Sequence, residues 1–172
     1  MKNITKLFAI ALIVLGSAGT SFAQVHATAN ASANIITPIA INKTVDLNFG
    51  NISVSNTGGT VILDPSLAGT RTATGGVTLP AVTGVFTAAK FVVTGLGTST
   101  YSISLPAASI SLSDGASHTM SIGTYTSTPS STGVLIAGTQ DIYVGATLTV
   151  AGLQAAGLYT NTTDLTVTVN YN

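Results

Sequence analysis

Near the C-terminus, Leu165, Val167, Val169 and Tyr171 alternate with Thr166, Thr168 and Asn170. A period of two places the four apolar side chains on one face of an extended chain, so the stretch reads as a strand with one buried side. Just upstream, Ala156-Gly157-Leu158-Tyr159 is a glycine turn that delivers an aromatic ring towards the strand's start. A strand of this kind must bury its apolar face against a second layer.

The pattern recurs along the chain. Val25, Ala27, Ala29, Ala31 and Ala33 alternate with His26, Thr28, Asn30, Ser32 and Asn34, which predicts a first strand with a small-residue face. Ile35-Ile36 and residues 39–41 flank Pro38, whose missing N–H confines that stretch to an edge or a kink. Val45, Leu47 and Phe49 alternate next, and Gly50 breaks the run before Ile52 and Val54. Asn56-Thr57-Gly58-Gly59 has the composition of a turn, and Gly75-Gly76 separates residues 71–73 from 77–79. Further strands are expected at 88–94, at 101–105, and on both sides of Ser113-Asp114-Gly115. Residues 125–133, rich in Ser, Thr and Pro, are expected as an exposed loop, and 142–150 is the longest alternating run. Only 153–158 hints at helix, and it is too short for more than one turn.

Composition agrees with a chain built for sheet. It holds 29 threonines, β-branched residues that suit a pleated, half-exposed surface better than a helix. Short strands about 8–12 residues apart, with Gly-rich turns between them, predict an all-β, immunoglobulin-like antiparallel β-sandwich. No helical segment is long enough for parallel crossovers. A β-solenoid would need a fixed repeat period, which is missing.

The N-terminus sets the expected compartment. Lys2 and Lys6 precede the apolar run 7–15, and Ser21-Phe22-Ala23 supplies the small residues of a cleavage site. Residues 1–23 therefore read as a signal peptide cut before Gln24, leaving 24–172 as one exported β-sandwich domain: periplasmic, on the cell surface or extracellular. Nine apolar residues span only about 14 Å as a helix, too little to cross hydrocarbon, so no transmembrane anchor is expected after cleavage. The chain has no cysteine. An exported domain without disulfides points to a bacterial envelope.

Charge excludes one class of partner. Beyond residue 23 the only cations besides histidine are Lys43, Arg71 and Lys90, set against five aspartates and no glutamate. Three scattered cations cannot displace counterions from phosphates, so no nucleic acid is expected as a partner.

Three blocks of residues resemble the secreted Gram-negative bacterial proteins grouped as domain-of-unknown-function family 4402. They are Ala33-Asn34-Ile35-Ile36-Thr37-Pro38-Ile39 leading into Asp46-Leu47-Asn48-Phe49-Gly50, residues 88–95 with 100–106, and residues 144–150 with Gly157-Leu158-Tyr159 and 167–171. The resemblance implies a fold and a compartment, since the family's activity is undefined. More distantly, Phe49-Gly50 and a Gly-x-Tyr turn before a last alternating strand look like spore-coat-U-type and chaperone–usher pilin domains. That pilin-like likeness implies a sandwich completed by a neighbour's N-terminal extension. The pilin disulfide is absent here, and Gly157 lies further from the end than in pilins.

The same idea has a physical form. A last strand with no partner on its far side leaves an open edge, and open edges recruit strands. The expected assembly residues are Leu165, Val167, Val169 and Tyr171 on the edge, with Val25, Ala27, Ala29 and Ala31 on the recruited strand, pairing in cis or in trans. The alanine face favours the strand's own domain, because burying alanine gains less than burying Val or Ile.

Reactive chemistry is sparse. His118 with Asp114 and Ser117 is the one local Ser-His-Asp grouping, and it has the composition of a solvated turn. The aspartates are single, with no converging oxygens for calcium, and no phosphate loop or metal motif is present. No catalytic residue, metal or cofactor is expected. There is no Trp for sugar stacking; Tyr125 and Tyr143 are the tyrosines expected to be exposed, while Tyr159 is expected to anchor the corner before the last strand. The function expected is that of a non-enzymatic exported structural or surface-adhesion protein, with other protein subunits as partners by strand pairing. The alternative is a secreted carbohydrate- or ligand-binding module.

Overall fold

The computed structural model describes residues 23–161 and 165–172, and the chain divides into two units at Ile35/Ile36. Of the first unit, residues 23–35 are described: all are exposed and none lies in a strand. This corrects the expected first strand. Its alternation is real, but an alanine face buries too little area to offset the entropy of ordering the chain. Apart from Ala23, the expected leader lies outside the described residues.

The second unit carries ten strands in an order close to the expected one. They are β1 (Ala40–Val45), β2 (Ser53–Leu63), β3 (Arg71–Thr78), β4 (Ala89–Thr94), β5 (Thr100–Ser104), β6 (Ile110–Ser113), β7 (Thr119–Thr128), β8 (Thr132–Val134), β9 (Thr139–Val150) and β10 (Thr168–Tyr171). Every pairing between strands is antiparallel, and the described residues contain no helix. The chain forms the all-β, immunoglobulin-like sandwich: a seven-stranded sheet packed against the three-stranded sheet β10-β5-β8.

β9 is the spine. Its twelve residues pair with β7 along one side, and with β4 and then β2 along the other. Because side chains alternate, Ile142, Val144, Ala146, Leu148 and Val150 share one buried face. That face serves two cores. Ile142 and Val144 pack with Phe91 and Val93 of β4, and with Tyr101, Ile103, Leu135, Val167 and Val169 from the smaller sheet's side. Ala146, Leu148 and Val150 pack with Val61, Leu63, Val77 and Ile122 of the larger sheet. The second core is covered by side chains from segments 47–52 and 79–86, including Phe49 and Phe86, instead of by a facing sheet. Arg71 clasps this cover: its guanidinium donates to the Phe49 and Asn51 carbonyls and lies 4.2 Å from the centre of the Phe86 ring.

Two further expectations change. Asn56-Thr57-Gly58-Gly59 is no turn; β2 runs through it, and β3 runs through Gly75-Gly76. The two glycine pairs oppose one another at a bulge, where the register shifts between Val54 and Gly59. A Cβ on Gly75 would stand 2.7 Å from the Gly58 carbonyl and 2.9 Å from the Gly59 Cα, so these glycines allow close strand approach. Likewise, residues 125–133 contain the end of β7 and the start of β8, and Ser127 and Gly133 are buried. Hydroxyl-rich composition suits strands that lie beside other backbone as well as it suits loops.

Candidate functional site: open edges and a cleft

The expected edge is present. β10 pairs with β5 alone, so its far side has no partner among the described residues. Val167 and Val169 are buried in the first core, while Leu165 and Tyr171 are half-buried against it. The ordered strand starts at Thr168, so Leu165 and Val167 form its lead-in.

A second edge stands next to it, which the sequence reading placed only as "edge or kink". Following Pro38, β1 pairs with β4 alone and lies against β10 without pairing to it. Tyr171 closes one end of this seam: its hydroxyl donates to the Thr37 carbonyl at 2.9 Å and accepts the Leu96 N–H at 2.6 Å. Lys43, paired with Asp46, stands in β1 opposite Phe91 of β4.

Val25 is 91% exposed, Ala27, Ala29 and Ala31 are exposed, and none is in a strand.

Among the residues weighed for chemistry, Asp164 lies outside the described residues, while Asp114, Asp64 and Asp141 have partners within the fold. Asp114 accepts the Ala116 N–H at 2.8 Å and pairs with the His118 ring at 2.6 Å, so it caps the β6–β7 turn. The His118 contact, with the backbone N–H groups behind it, holds the Asp114 carboxyl below the usual aspartate range. Asp64 takes the Thr70 hydroxyl. Asp141 takes Lys90 at 2.8 Å, a hydrogen bond that raises the lysine's pKa. No three metal-ligating side chains gather among the described residues.

The tyrosines divide differently from expectation. Tyr125 and Tyr143 are half-buried. Tyr125 donates to the Ile122 carbonyl at 3.1 Å, and Lys90 lies 5.8 Å from the centre of the Tyr143 ring. Tyr159 does anchor the corner, donating to the Ala155 carbonyl at 2.8 Å and accepting from Gln154 at 2.9 Å.

One concave feature was not legible in the sequence. A cleft of about 720 Å³ opens beside the second core, between β6–β7 and segments 47–52 and 157–161. Ile110, Leu112 and Met120 remain half-buried along it. The available signal was the apolar face of the β6–β7 hairpin at Ile110, Leu112 and Met120.

Fold and edges together define an antiparallel sandwich whose first and last strands each have one strand neighbour among the described residues, with residues 23–35 exposed and outside any strand. The family model described as Domain of unknown function (DUF4402) matches residues 39–171, and the chain belongs to that family. No curated protein and no solved structure matches it.

Proposed function

We propose that this chain is a non-enzymatic, exported structural or surface-adhesion subunit of the bacterial envelope that associates with its neighbours by strand addition. The observation that carries the reading is the coincidence of open edges on β1 and β10 with an exposed, alternating, unpaired segment at 25–33. A segment that is free in one copy and an edge that is free in the next satisfy each other's backbone hydrogen bonds. Lys2, Lys6, the apolar run 7–15 and Ser21-Phe22-Ala23 support export. Because the added face is alanine, association draws mainly on the hydrogen-bond ladder and is weak and concentration-dependent.

The test is size-exclusion chromatography of the chain from Gln24 onwards across concentrations, with electron microscopy. Higher-order species that vanish in the Ala29→Asp/Ala31→Asp double variant support the reading. Both sites are exposed, so the variant should unfold at the parent's temperature. A monomer at every concentration would sink it. The second reading, a secreted binding module, is favoured by the cleft beside the second core. Neither half-buried tyrosine is a free platform for sugar, so the ligand arm of that reading is stronger than the carbohydrate arm.

A further inference from the structure

A strand formed by residues 25–33 could pair with an edge of its own copy or with an edge of another. A return onto its own β1 or β10 needs a chain reversal ahead of Ala40, where β1 starts. The residues between the two oppose that reversal.

Thr37 is held from the far end of the chain. The Tyr171 hydroxyl donates to the Thr37 carbonyl at 2.9 Å and accepts the Leu96 N–H at 2.6 Å, tying this stretch to β10 and to the β4–β5 turn. Gly95 leaves room for that hydroxyl, since a Cβ there would collide with it. Pro38 disfavours helical backbone at the residue before it, which keeps Thr37 extended. Ile39 packs half-buried against the first core and leads directly into β1. Ile35-Ile36 is then the place left to turn. A two-residue reversal between strands puts one or both of its central residues at positive φ, which β-branched side chains resist. Neither isoleucine adopts it: the non-glycine residues with left-handed φ, among those described, are Thr124, Ser131, Ala137 and Leu153. Both isoleucines are exposed, so no burial offsets the cost of such a turn.

We infer that Tyr171 is a latch that closes the chain's own edges to residues 25–33 and leaves a second copy as their acceptor. Resting on the strand-addition reading, this device selects exchange between copies over closure within one. A free hinge at 35–39 would favour closure, because a tethered partner has a high effective concentration. A hinge held straight forfeits that advantage, since the tether no longer spans the two partners.

The chain has no cysteine, so Ala29→Cys takes a single nitroxide label. Two NMR samples of the chain from Gln24 onwards separate the cases. In the first, nitroxide and isotope label share a chain diluted in excess unlabelled protein, so broadening arises within one copy. In the second they sit on different chains, so broadening arises between copies. In the first sample the amides of Asn42 in β1 and Asn170 in β10 should keep full intensity in the parent. Ile35→Asn/Ile36→Gly supplies a type I′ turn and should cost those amides about half their intensity or more. Tyr171→Phe, which frees Thr37 while keeping the ring, should produce part of the same loss. Broadening within the parent copy overturns the latch, as does full intensity in either folded variant. The second sample judges strand addition separately: no broadening between parent copies sinks that reading, whatever the first sample shows.

Discussion

Arg71 shows how much one residue can organise in a chain so poor in charge. It reaches two carbonyls of segment 47–52 and stacks on Phe86, which fastens the cover of the second core to β3. Hydrogen bonds to a charged group are worth about 1.5–3 kcal/mol, so Arg71→Ala should lower stability by roughly 2 kcal/mol in urea denaturation. Arg71→Lys should recover only part of that, since an ammonium lacks the planar fork and the stacking face. Asp114 offers a pH readout. Its folded-state carboxyl titrates below the ordinary aspartate value of about 3.9, so the ionised group favours the folded chain above that pH. The contribution disappears as pH falls through the depressed midpoint. An NMR titration should place that midpoint below that of free aspartate, and His118→Ala should move it up. The Asp114-Gly115 turn itself was legible, because a turn is decided by its own few residues. Arg71 was not, because its partners lie about twenty positions upstream and fifteen downstream and meet it only after folding.

Among the elements, β9 and β10 carry the most testable contrast. Leu148 lies on the buried face of β9 and is 2% exposed, so Leu148→Ala should cost about 2–5 kcal/mol through lost burial and the cavity left behind. Tyr171 acts at a strand end. Tyr171→Phe removes the hydroxyl from Thr37 and Leu96 and should cost about 1–3 kcal/mol, with hydrogen exchange rising first at the Leu96 amide. The alternation that marked both strands in the sequence is a direct print of one buried face, which is why they were found. The glycine pairs at 58–59 and 75–76 print the same composition whether the chain turns or two strands press together. Only the opposing strand distinguishes the cases. Residues 25–33 failed the other way: the period was present, but alanine gave it too little burial to hold a strand.

For the molecule as a whole, the division at Ile35/Ile36 predicts that folding resides in the second unit. A chain beginning at Ile36 should unfold at the temperature of the chain from Gln24, measured by circular dichroism, while losing any self-association; a large drop in melting temperature would place residues 24–35 in the core. The sequence by itself determined the class: alternation, threonine and short spacing leave antiparallel sheet as the architecture that buries the apolar faces. Tertiary structure decided which faces and edges stay unsatisfied. β9 serves two cores, β1 and β10 end as edges, and a cleft remains beside β6–β7, because partnering is settled by residues far apart in the chain. Local periodicity states that a face must be buried, and only the assembled sheets state against what.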